Sequence, residues 1–137
     1  MGCFLDTNVL IYAAQVRTRD ERRTSIAREL ALSTTFGVSA QTLAEFYSVT
    51  TRKASVRLSD HEADLWIEFL GSMPFQAIDR SIVDRGIDLS RQYSIAYYDA
   101  ALLAAAERLG AAVFYSEDLN HDQLYGSVRV INPFLET

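Results

Sequence analysis

A chain of 137 residues, 49% of them apolar and 23% charged, has the make-up of one globular domain spanning 1–137. That length buries about two-thirds of the surface exposed by the unfolded form. A net charge of −5 argues against a surface built to grip nucleic-acid phosphates, and no apolar run approaches the roughly 18 residues of a membrane span. The start lacks the basic-then-apolar pattern of an export signal. The lone cysteine, Cys3, sits in an apolar run, so the expectation is a cytoplasmic protein with a buried free thiol and no membrane partner.

Cys3-Phe4-Leu5-Asp6 reads as a short strand ending in a carboxylate, and Val9 to Ala14 follows at once as a helix. Ligands bind at the carboxyl ends of strands in open α/β sheets, which makes Asp6 a candidate site residue. The competing role is a helix N-cap, for which Asp and Asn are good acceptors. Twelve of the thirteen basic residues are arginine, and Arg17, Arg19, Arg22, Arg23 and Arg28 fall in one short stretch. Arginine suits bidentate phosphate contact. The same stretch also fits a solvated helix face with Asp20, Glu21 and Glu29 as neighbours.

Asp20 to Leu32 is predicted as a second helix, with Ile26, Ala27 and Leu30 apolar. Phe36 to Ser39 is a brief strand, and Ser39 can cap a helix from about Gln41 to Thr51 with Leu43, Phe46 and Tyr47 as its core stripe. Ser59 and Glu62 have capping-box spacing and open a helix whose buried face is Leu65, Trp66, Phe69 and Leu70. Met73-Pro74 stops it, and Phe75 to Ile78 is the third strand. A helix from Arg80 to about Arg91 follows, then an alanine-rich one from Tyr97 to Leu109 ended by Gly110. Ala111 to Tyr115 is the fourth strand and Val128 to Ile131 the last. Strands separated by helices imply βαβ units and a parallel sheet.

The fourth strand repeats the pattern of the first, an apolar run and then acids, Glu117 and Asp118. Were the two strands neighbours, Asp6 and Asp118 would face one crevice. Asp99 shares a helical face with Leu102, Leu103 and Ala106, and an acid at the head of a core stripe is costly unless something neutralises it. Its competing role is to complement the helix dipole. Glu45 lies at the edge of its helix's apolar stripe, as an exposed glutamate would. His61 reads as a capping neighbour. His121, near Asp118, is a candidate substrate contact but a poor metal ligand beside oxygen donors.

Phe4-Leu5-Asp6-Thr7-Asn8-Val9-Leu10, Leu43-Ala44-Glu45-Phe46, Tyr98-Asp99-Ala100-Ala101-Leu102 and Ser116-Glu117-Asp118-Leu119-Asn120 together resemble the PIN domain family, and within it the VapC-like toxins of toxin–antitoxin pairs. The closing Val130-Ile131-Asn132-Pro133-Phe134 is similar to the family's ending. The resemblance implies a three-layer α/β/α sandwich with strand order 3-2-1-4-5. It also implies a metal-dependent ribonuclease whose acids are Asp6, Glu45, Asp99 and Asp118, and so moves Glu45 into the site. Mg²⁺ and Mn²⁺ take oxygen ligands, and one or two such ions would offset the mutual repulsion of four carboxylates. The chemistry implied is hydrolysis of RNA by a metal-activated water. Thr7 and Asn8 could hold a water or a phosphate oxygen, and Arg17 and Arg19 could contact substrate.

The resemblance further implies a cognate antitoxin and no DNA-specific binding, and it joins the aromatic residues Trp66, Phe69, Tyr93, Tyr97 and Tyr98 in pointing to a homodimer. Where many relatives carry glycine after the last acid, this chain has Asp122, expected to be a loop residue. Two rivals are a PIN scaffold that binds RNA or protein without cleaving and an Asp-dependent phosphatase. The phosphatase pattern wants a second Asp at position 8 and a late lysine, and the only lysine is Lys53.

Overall fold

The structure, a computed structural model, describes residues 2–15 and 20–135. Six strands form one sheet in the order β3-β2-β1-β4-β6-β5. They are β1 (Cys3–Leu5), β2 (Phe36–Ser39), β3 (Phe75–Gln76), β4 (Val113–Tyr115), β5 (Leu124–Tyr125) and β6 (Val128–Ile131). All neighbours are parallel except β5 and β6. The five strands legible in the sequence thus take their expected order.

The sixth strand, β5, extends the edge as a hairpin. Its two-residue turn, Gly126-Ser127, has Gly126 at φ +58°, the left-handed region where a side chain is strained and glycine is not. The third strand is shorter than predicted, since Ala77 and Ile78 leave the sheet and are exposed.

Alternation along β1 assigns its side chains to two cores. Cys3 and Leu5 join a cluster built from α1 (Thr7–Ala14), α2 (Glu21–Ser33), α3 (Ala40–Arg52) and α4 (Asp60–Gly71). Phe4 points the other way, stacked on Phe114 at 5.5 Å, into a cluster with α5 (Arg80–Tyr93) and α6 (Tyr97–Arg108). Helices on both faces of a parallel sheet make it a buried layer, which is why β1 reads as a continuous apolar run. Cys3 is a buried free thiol, with its pKa raised by burial.

Helix starts follow the predicted caps. Ser39 and Thr42 form a reciprocal box at α3, as do Ser59 and Glu62 at α4, with His61 exposed beside the latter. Two stripe assignments differ from expectation. Tyr47 and Leu65 are about half exposed, because each lies at the margin of a face whose centre is Phe46 or Leu70. Helix α6 is buried all round from Ala100 to Ala106, so its alanines pack rather than face water. They let α5 approach closely: a Cβ on Gly86 would stand 3.2 Å from the Cα of Ala101.

Candidate active site

Asp6 sits where β1 turns into α1. Its N–H still bonds the Tyr115 carbonyl across the sheet at 3.0 Å, while its own carbonyl accepts the first helical bond from Val9. The side chain does not cap the helix. It is 5% exposed and accepts a 2.7 Å bond from Ser116 Oγ. Asp6 is thus the N-cap by position, and its carboxylate is free of the capping role. The register pairs Leu5 with Tyr115, so the next residues along both strands, Asp6 and Ser116, meet at the sheet's carboxyl end.

One cleft of about 380 Å³ is lined by Asp6, Glu45, Asp99 and Asp118. Each arrives from a different segment: the end of β1, the middle of α3, the first turn of α6 and the loop after β4. Neutral donors orient three of them. Thr7 Oγ1 donates to Glu45 at 2.9 Å and Asn8 Nδ2 to Asp118 at 2.9 Å. Ser116 Oγ donates to Asp6 and accepts the Asp118 N–H at 3.1 Å. Thr7 and Asn8 therefore hold cleft acids, and neither is a cap. Ser116, fully buried, is the participant that composition and periodicity did not reveal. A small hydroxyl at a strand end, in register with Asp6, was the available signal.

Burial pushes the Asp6 carboxyl up to about 7, with the nearby charges of Asp118 and Asp99 acting the same way and the Ser116 hydrogen bond opposing them. The Asp99 carboxyl is also raised, first by burial and then by Asp118 and Glu45. The N-terminus of α6 acts on it in the other direction.

Among the described residues no Lys, Arg or His forms an ion pair with any of the four acids, whereas six other acids have arginine partners. The donor set, all hard oxygen, suits Mg²⁺ or Mn²⁺. It is not a closed cage: among the described residues no three Asp, Glu, His or Cys side chains stand ready to hold one ion. Mg²⁺ retains several waters and binds through one or two carboxylates, which such an open arrangement accommodates.

The surrounding candidates resolve differently. Arg17 and Arg19 lie outside the described residues. Arg23 Nε bonds Glu117 at 3.0 Å and its Nη1 bonds Asp20 at 2.7 Å, with the guanidinium over the Phe134 ring. Arg28 bonds the carbonyls of Ala13 and Gln15, and Arg22 that of Phe134. These three arginines tie α2 to the end of α1, the loop after β4 and the chain's last residues. Tyr12 donates to Glu117 at 2.6 Å, so Glu117 is an anchor of the loop that presents Asp118. His121 accepts the Asn132 N–H at 3.0 Å and does not line the cleft. Asp122, at φ +64° and paired with Arg129, is a loop acid. Its left-handed backbone explains why glycine would suit that position.

The PIN domain family model matches residues 3–127. No curated protein sequence matches the chain significantly. Three solved structures share the fold. Mycobacterium tuberculosis VapC20, described as a sarcin-ricin loop cleaving toxin, is 15% identical, with 85% of this chain and 90% of that one covered at a TM-score of 0.66. A toxin–antitoxin complex from Klebsiella pneumoniae is 20% identical, with 98% of both chains covered and a TM-score of 0.69. FitAB bound to an IR36 DNA fragment is 20% identical over 98% of this chain and 97% of that one, at 0.62.

Proposed function

The chain belongs to the PIN domain family, and from that membership we propose that it is a metal-dependent ribonuclease of the VapC-like toxin type. Asp6, Glu45, Asp99 and Asp118 would hold one or two Mg²⁺ or Mn²⁺ ions. The observation that carries this is the convergence of four acids, from four segments, on one cleft with no basic partner among the described residues. When bound, the cation activates water for attack and offsets charge on the phosphate.

The chain's own residues prepare the cleft. Ser116 fixes the Asp6 carboxylate and, through the Asp118 N–H, the loop beside it. Asn8 and Thr7 keep Asp118 and Glu45 turned inward. Burial of Asp6 leaves a carboxyl that a cation must drive into its ionised form, so metal occupancy and cleft charge are coupled.

The partners proposed are an RNA substrate, a cognate antitoxin and a second copy of the chain, in the cytoplasm where RNA is met. Leu32, 81% exposed, lies with Leu65, Trp66 and Phe69 around one apolar depression, a face that an antitoxin segment would cover. The surplus of aromatics is otherwise largely used inside the protomer, with Trp66 between Phe46 and Phe69 and Tyr93 against Tyr125.

The test is cleavage of a panel of structured RNAs with Mg²⁺ or Mn²⁺, run beside Asp6→Asn. Wild type should cleave and the variant should not. Equal cleavage by both would refute the site, and RNA binding without cleavage would favour a non-cleaving scaffold.

A further inference from the structure

We propose that the apolar pocket beside the acidic cleft is a subsite for one RNA base, that of the nucleotide flanking the phosphate at the acids. The proposal rests on the ribonuclease reading above. The pocket, of about 460 Å³, shares Ala44 and Glu45 with the acidic cleft, so the two adjoin at that turn of α3. A strand whose phosphate lay at Asp6 and Asp99 would have a neighbouring nucleotide beside this pocket.

The lining selects a base over a phosphate. Ile78, Ile82, Tyr97, Tyr98 and Ala101 supply apolar wall. Among the described residues Glu45 is the one acid that lines it, and no Lys or Arg does; a phosphate would be repelled and a neutral ring would not. Tyr98 is 66% exposed and meets the ring of Tyr97 edge-on at 5.2 Å. An exposed aromatic braced from behind is a stacking platform, and bases stack on such platforms with little regard to sequence.

Gln41 adds a polar group to the lining. The residue is 9% exposed, and its Nε2 is committed to the Tyr98 carbonyl at 3.0 Å. That bond fixes the amide so that Oε1 is an acceptor, and no donor within the described residues meets it. An exocyclic amine, present on adenine, cytosine and guanine and absent from uracil, would satisfy it.

The experiment uses the whole protein with Mn²⁺ and a short single-stranded RNA that it cleaves, remade with one abasic nucleotide stepped through each position. Tyr98→Ala should lower kcat/KM on the intact RNA about 5- to 150-fold, the range of one base–aromatic stack. It should have no effect on the RNA abasic beside the cut, and Tyr98→Phe should behave as wild type. Equal losses on intact and abasic RNA, or no loss at all, would overturn the subsite while leaving the nuclease reading in place. A drop in solution mass with Tyr98→Ala would assign the pocket to a second copy and overturn it too. If wild type cleaves no RNA, both readings fall together.

Discussion

Asp6→Asn removes the most buried charge of the cleft and leaves its shape, so it measures what that charge costs the metal-free fold. In the folded chain the Asp6 carboxyl titrates at about 7 against an ordinary value of 3.8. Between those values the folded state holds a proton that the unfolded state has released. Stability therefore falls as pH rises across that window. The difference, at 1.36 kcal/mol per pH unit, is about 4 kcal/mol once Asp6 is fully ionised. Between pH 5 and pH 8 the loss should be about 3 kcal/mol.

Asp99, raised in the same direction, adds to the slope. The carboxyls of Asp20, Glu62, Asp79 and Glu107 are lowered by hydrogen bonds. Their contributions are lost as pH falls through their folded values, on the acid side of the window. Urea unfolding in chelator at pH 5, 6.5 and 8 reads the effect. Wild type should weaken towards pH 8, Asp6→Asn should weaken much less, and Mn²⁺ at pH 8 should restore the wild type alone. A wild type whose stability is flat or rises across the window, or a variant with the same slope, would refute the burial argument.

Asp99→Asn should abolish cleavage, reduce the rise in melting temperature that Mn²⁺ brings and leave the metal-free fold slightly more stable. If Asp99 served only the helix dipole, the variant would instead lose about 0.3–1 kcal/mol and cleave normally. Arg23→Ala should cost about 1–2 kcal/mol from its ion pairs and ring contact; by freeing Glu117 it should also raise the Mn²⁺ concentration needed for half-maximal cleavage, with Arg23→Lys restoring part of each. Gly126→Ala would bring a Cβ to 2.5 Å from Glu107 Oε2 and 3.0 Å from Arg85 Nη2 at a left-handed backbone position; thermal unfolding should show a loss of about 1–3 kcal/mol, while kcat on RNA stays unchanged.

Asp6 was legible because a strand end and an acid coincide in four residues, and the sheet order followed from that motif and its three companions. Glu45 was not legible from the helical wheel. A wheel separates core from solvent, and a residue that faces a polar cleft looks exposed on it. Asp99 could be suspected because α6 is apolar around it, yet the helix proved buried on every side from Ala100 to Ala106. That happened because alanines admit α5 as closely as the sheet. The width of an apolar stripe is equally hidden, which is why Tyr47 and Leu65 were expected inside. The β5–β6 hairpin carried its signal in plain view: Gly126-Ser127 between Leu124-Tyr125 and Val128 is a two-residue hairpin pattern, masked by the shortness of β5.

Among the described residues a physical contrast lies between acids that received an arginine and acids that did not. Glu107 is held by Arg85 at 2.8 Å, and Glu117 by Arg23 at 3.0 Å beside the cleft itself. Burial there is compensated by charge. Two residues away in sequence from Asp118, Ser116 is offered to Asp6 instead, a neutral donor with one proton to give. Hydrogen bonds from Ser, Thr and Asn orient carboxylates without cancelling them, so the cleft keeps its negative potential and its acids keep their mutual repulsion. A fold that places Arg23 within reach of Glu117 but leaves Asp6 and Asp99 with raised carboxyls has kept that repulsion in the one place where a cation from solution would remove it.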